Sequence, residues 1–153
     1  MALRAVSLTQ PWATLVAIGA KTFETRSWPT YYRGPLLIHA AKGFPGNARA
    51  LCYMDSFSET LQRAGYKRAS ELPTGALIGI VTLVECISTA DALEGIDAAE
   101  HAFGNYGRGR FAWKLTEAVK LVQPIPCRGA LGLWKAPEEI VESLKSWLGE
   151  RVA

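Results

Sequence analysis

A chain of 153 residues, 49% apolar and 20% charged, is long enough to bury one core and too apolar to stay disordered. Its formal net charge of +3 permits a nucleic-acid partner without demanding one, so the placement of the charges decides. Cys52, Cys86 and Cys127 form no CxxC pair and have only His39 and His101 beside them, which argues against a zinc site and suits a reducing cytoplasm.

Residues 1–8 alternate as a short strand, with Leu3, Val6 and Leu8 for burial. A helix follows. Thr9 is placed to cap it, Pro11 fits its first turn, Trp12, Leu15, Val16 and Ile18 form an apolar stripe, and Gly19 stops it. The period then changes to two. On a strand from Thr22 to Arg26, Thr22, Glu24 and Arg26 share one face, and Lys21 stands at the corner, free to swing to either side. Pro29, Gly34 and Pro35 make 27–35 an irregular loop, and 36–41 reads as a buried strand containing His39. Residues 43–73 read as a helical insertion of two helices broken near Asp55-Ser56, placed over the core and able to act as a lid. Ala76 to Ile87 is a strand in which Gly79 marks a bulge or bend. Residues 91–105 are acidic and helical. Phe111 to Val122 is a second long strand, ended by Pro124 and Pro126, and Leu131 to Lys135 a last short one. Pro137 opens a helix whose Ile140, Leu144, Trp147 and Leu148 form a packing stripe. Strands with interspersed helices and no βαβ alternation predict an α+β small barrel. No run approaches the ~20 apolar residues that span a bilayer, and no secretory leader is apparent, so a cytoplasmic protein without membrane contact is expected.

The densest chemistry lies at Lys21, Glu24 and Arg26, beside Trp12 and Trp28. The pattern Gly19-x-Lys21-x-x-Glu24-x-Arg26 follows Gln10-Pro11-Trp12 and precedes Tyr32-Arg33-Gly34 and Ile38-His39-Ala40. With Phe111-Ala112-Trp113, Pro126-Cys127-Arg128-Gly129 and Gly132-Leu133-Trp134 in order behind it, it resembles the ASCH domain family. That resemblance covers nearly the whole chain. It implies a PUA-like barrel of about five or six strands with surrounding helices, one domain over 1–153, and an association with RNA. Some members of the family are credited with RNA cleavage. Other short members remove acyl groups from N4-acylcytidine, through a threonine activated by a lysine with a glutamate partner. Lys21 matches that lysine, but the nucleophile position holds Glu24; Thr22 and Thr25 flank it, and Glu85 or Glu100 are candidates for the second glutamate.

Two functions follow as expectations. In the first, the chain binds single-stranded RNA in a cleft built on Lys21, Glu24 and Arg26, with or without cleavage. A base would take the 2′-hydroxyl proton and cations would hold the phosphorane charge. In the second, the same cleft hydrolyses an acylated nucleoside. The bland alternative for the cluster is a structural salt bridge at a helix–strand corner. Gln10 could read a base edge, Trp28 and Tyr31 could stack on bases, and Arg33 and Lys42 could hold phosphates. His39 is either a satisfied core residue or, facing the cleft, a proton shuttle beside Lys21. Arg108 and Arg110, in the glycine-rich loop 104–110, either grip a backbone or sit solvated on a turn. No metal or cofactor is expected, and the oligomeric state is left open.

Overall fold

The computed structural model describes residues 3–145. Six strands, β1 (Arg4–Leu8), β2 (Phe23–Arg26), β3 (Gly34–Ala40), β4 (Ala76–Ser88), β5 (Phe111–Pro126) and β6 (Leu133–Lys135), form one sheet in the order β2-β5-β4-β3-β1-β6. Only β1 and β3 run parallel; every other neighbouring pair is antiparallel. The sheet curls into a half-barrel, which brings β2 at one end of the order back toward β1. Across that gap the Arg26 Nη2 donates to the Ser7 carbonyl at 3.2 Å. This is the α+β, PUA-like architecture that the resemblance implied.

Side-chain parity explains the curl. In β3, Leu36 and Ile38 enter the inner core while Leu37 faces the outer one, as period two requires. In β4 the parity switches: Ile78 is inner, Ile80 outer, and Val81 and Leu83 inner again. The β4–β5 register shifts there, between Leu77 and Gly79 and between Ile80 and Thr82. In β5, Trp113 and Leu115 face inward but Val119 and Leu121 outward, and Glu117 between them has φ +52°. Each long strand thus exchanges faces at a bulge, where extra twist bends it. The expectation for Gly79 holds, and it has a packing cause too. A Cβ there would lie 2.8 Å from the Ala17 Cβ.

The helix against which Gly79 packs is α1 (Trp12–Ala17), in which all residues from Ala13 to Ala17 are buried. Val16 joins the inner core and Leu15 joins a third cluster made by Phe57, Leu61 and Phe103. Gly19, at φ +78°, ends it as expected. Thr9 does not cap it. The side chain of Gln10 does that work: its Oε1 accepts from the Thr14 N–H at 3.0 Å while its Nε2 donates to the Thr14 Oγ1 and the Pro73 carbonyl. The Gln10–Pro11 peptide bond is cis.

The expected insertion holds α2 (Gly46–Leu51), α3 (Asp55–Arg63) and a 3-10 turn at Ala69–Glu71; the break lies at Cys52–Met54, just before the expected place. The acidic stretch carries α4 (Thr89–Ala92), a 3-10 turn at Leu93–Gly95 and α5 (Ala98–Phe103). α6 (Glu138–Ser143) lays Ile140 and Leu144 on the outer core; the Trp147 and Leu148 of its expected stripe lie outside the described residues. β3 starts earlier than expected and β6 later. β5 runs through Pro124 and Pro126, because β2 pairs with it only at Phe111–Lys114 and its outer edge needs no ladder donors beyond Leu115. Among the described residues no helix is long and apolar enough to cross a membrane.

Candidate functional site

At the mouth of the half-barrel lies an open cleft of about 550 Å³. Its floor comes from the α1–β2 corner, one wall from Thr9 and Trp12, and the other from the segment after α5. Lys21, Glu24 and Arg26 all line it, joined by Trp28 and Arg110.

Lys21 is not free to swing. Its side chain is 1% exposed, and its Nζ donates to the Phe23 carbonyl and lies 3.4 Å from the Glu24 Oε1. The corner forces this, because Gly19 ends α1 and both the Ala20 and Lys21 amides donate back to the Leu15 carbonyl. The lysine stem is thereby tucked beneath the cleft. Glu24 spends both oxygens, Oε1 toward Lys21 and Oε2 on the Arg26 Nε at 2.9 Å. Strand periodicity accounts for the second contact, since 24 and 26 share a face. Arg26 is also held by the Ser7 carbonyl. Arg110 is held in the same fashion, its Nε donating to the Asn105 carbonyl and its Nη2 to the Thr25 carbonyl, both at 3.2 Å. Both guanidiniums therefore stand fixed by backbone, with further N–H groups turned to neither partner.

The aromatic walls are equally anchored. Trp28 meets Trp113 edge-on, with centroids 4.8 Å apart, and Trp12 donates through Nε1 to the Phe103 carbonyl. Trp12 is a wall of the cleft as well as part of the third cluster, where Phe57 meets it edge-on. Counting Lys21, Arg26 and Arg110 against Glu24, the cleft carries an excess of positive charge.

Behind it lies a second acidic group. The Glu100 Oε1 accepts from the Thr22 N–H and Oγ1, both at 2.7 Å, while its Oε2 and the Tyr106 hydroxyl are buried without a partner. Burial first, then the negative charges of Glu100 and Glu24, push the Tyr106 hydroxyl well above the usual tyrosine range. Neither flanking threonine meets the lysine. The Thr22 hydroxyl serves Glu100, and the Thr25 Oγ1 accepts from the Asn105 N–H at 3.1 Å. Neither Thr22 nor Thr25 is therefore placed for activation by Lys21.

Of the other expected residues, Gln10 is fully buried and structural, so it reads no base edge. Tyr31, 96% exposed, and Arg33, whose guanidinium donates to the Thr30 and Tyr32 carbonyls, lie off the cleft. Arg108 is exposed and does not line it; its neighbour Arg110 does. His39 and Lys42 lie in a different cavity, so His39 is not beside Lys21. Sequence reasoning missed Asn105 and Phe57 in the cleft walls. Phe57 belongs to a recognisable amphipathic helix, but nothing local says that this helix reaches the cleft.

Known proteins resemble this chain in sequence and in shape. A model of the ASCH domain family matches residues 6–125. Activating signal cointegrator 1 of Mus musculus is 28% identical over 144 residues, which are 94% of this chain and 24% of that protein. The Homo sapiens protein of the same name is 27% identical over the same length and coverage. The chain thus spans about a quarter of the length of these curated relatives. The crystal structure of ASCH from Zymomonas mobilis superposes with a TM-score of 0.58 at 16% identity, covering 94% of this chain and 93% of that one. A single-residue variant of it gives 0.58 at 14% identity, covering 95% and 98%. At such identities the likeness is one of fold.

Proposed function

The chain belongs to the ASCH domain family, and on that premise we propose that its cleft binds single-stranded RNA, seating one unstacked nucleotide between Trp28 and the arginine pair. The observation that carries this is the fixing of Arg26 and Arg110 by backbone carbonyls inside one cleft that also offers aromatic walls. A planar guanidinium presents paired donors to phosphate oxygens, and holding it in place beforehand lowers the ordering cost of binding. A base laid on Trp28 contributes about 1–3 kcal/mol whatever its identity. Glu24, placed between Lys21 and Arg26, keeps lone pairs that can accept from a base amino group. The need to unstack the nucleotide favours a single strand over a duplex.

Fluorescence anisotropy of a labelled RNA decamer, titrated between 50 and 200 mM salt, tests this. Affinity should fall as salt rises, and R26A and R110A should each weaken binding and flatten the logarithmic salt slope by about 0.7. W28A should cost about 1–3 kcal/mol with the slope unchanged. Shortening of the strand during the titration, lost in E24Q, would extend the reading to a ribonuclease. Absence of binding, or binding indifferent to all three cleft variants, would overturn it.

A further inference from the structure

Ser7 stands where two cavities meet. Its backbone carbonyl takes Arg26 in the cleft already described, while its hydroxyl borders a second cavity of about 610 Å³. β1 makes this possible: its register with β6 ends at Val6, so Ser7 lies past that edge pairing. On the other side the parallel register sets Ser7 against His39, side by side on the outer face.

The wall of the second cavity is a closed chain of hydrogen bonds. The Trp134 Nε1 donates to the Ser7 Oγ at 3.1 Å, the Ser7 Oγ lies 3.0 Å from the His39 Nδ1, and the His39 Nε2 lies 2.7 Å from the Cys127 carbonyl. A carbonyl can only accept, so Nε2 carries the proton, and in the neutral ring Ser7 donates to Nδ1. Gly129 is packed against this wall so closely that a Cβ would lie 2.5 Å from the Ser7 Oγ and 2.7 Å from the His39 ring. The wall is rigid, and its polar atoms already have partners. It offers surface rather than hydrogen-bond readout.

Charge enters at the rim alone. Lys42 and Arg128 are the charged side chains that line this cavity, both positive and both exposed. Among the described residues neither side chain has a hydrogen-bond or ion-pair partner, unlike Arg26 and Arg110. Beside them Leu131 is 97% exposed, an apolar side chain left in solvent at the edge of the cavity. Two unpaired cations beside an apolar edge match a nucleotide: phosphate on the cations, the flat base in dispersion contact with the Leu131 side chain.

We propose that this second cavity is a subsite for the adjoining nucleotide of the strand, which crosses β1 at Ser7 with its phosphate on Lys42 and Arg128. The proposal rests on the reading of the first cleft. It makes the natural ligand an oligonucleotide of at least two residues, and it makes recognition at the second position tolerant of base identity.

The test compares one 5′-mononucleotide, followed by ligand-observed NMR, with an RNA decamer followed by anisotropy. In the double variant K42A/R128A, decamer affinity should fall about tenfold and the salt slope should flatten by about 1.4, while the part of mononucleotide binding that R26A removes should be unchanged. The melting temperature should not move, since both side chains are exposed and unpaired. If the decamer binds the double variant as it binds wild type while R26A weakens it, the second subsite is refuted and the first cleft stands. A mononucleotide that binds as tightly as the decamer refutes it too. If neither ligand binds wild type, the cleft reading itself falls and this proposal falls with it.

Discussion

Replacing Glu24 by Gln removes one charge from a pair in which Lys21 is 1% exposed and Glu24 is 12% exposed by side chain. Opposite charges 3.4 Å apart attract by about 5 kcal/mol at an effective dielectric near 20. Desolvation cancels much of that in the intact pair. Losing one partner removes the attraction and leaves the desolvation, a cost of about 3–5 kcal/mol. The Gln amide oxygen can still accept from the ammonium, which puts E24Q at the lower end, about 3 kcal/mol. For a chain of this size that lowers the melting temperature by about 6–12 °C. K21M should cost less, since Met keeps the stem in place and Glu24 retains Arg26. The double variant K21M/E24Q should recover about 1 kcal/mol or more of the summed losses, because no buried charge is left orphaned. Urea denaturation followed by circular dichroism measures all three. E59Q is the control: its Arg63 pair is closer, at 2.6 Å, but its side chains are 73% and 69% exposed, so the change should stay under about 1 kcal/mol. A shift for E24Q no larger than that of E59Q would refute the argument that burial, not distance, sets the value of the pair.

Wild type should leave N4-acetylcytidine intact in an absorbance assay, since Glu24 stands where the amidohydrolases have threonine and both its oxygens are paired; hydrolysis by E24T alone would show that Lys21 can activate a hydroxyl placed there. Tyr106 titrates higher in the folded than in the unfolded chain, so stability should be full below pH ~10 and fall above it as the unfolded chain loses its proton first. Y106F should reduce that fall and, by removing a buried unpartnered hydroxyl, leave neutral-pH stability unchanged or higher by up to about 1 kcal/mol. G79A forces a methyl to within 2.8 Å of the Ala17 Cβ and 3.1 Å of the Val119 carbonyl, and should cost about 1–3 kcal/mol in the same denaturation experiment.

Features legible in the sequence are those whose cause is local. The two-residue alternation of 22–26 put Glu24 and Arg26 on one face, and Gly19 and Gly79 announced a stop and a bulge in single residues. Burial of Lys21 was not legible, because it depends on two amides turning back to Leu15 and on a carboxylate closing over the ammonium. Gln10 looked like a reader of bases and proved to be a cap, since α1 starts at Trp12, later than the spacing of Thr9 indicates. The separation of His39 and Lys42 from Lys21 is topological: strand parity sends His39 to the outer face, and no count along the chain reveals which side of the sheet a loop closes on. The continuation of β5 through its prolines was hidden for a related reason. Proline forbids a central strand but not an edge, and which strand lies at the edge is settled only by the whole sheet.

That outer edge of β5 has a second physical consequence, for the addition of a further strand. Beyond Leu115 the strand runs to Pro126 without a neighbour on its far side among the described residues. A long bare edge of this kind is a template on which a second copy can add its own strand and a third can follow. Pro124 and Pro126 bring no N–H to such a ladder, Glu117 at φ +52° breaks the regular run, and Lys120 adds charge. The bulge that bends the sheet around its cleft therefore also makes this edge a poor template for an added strand, so the curvature that shapes a binding mouth and the irregularity of the edge come from the same residue.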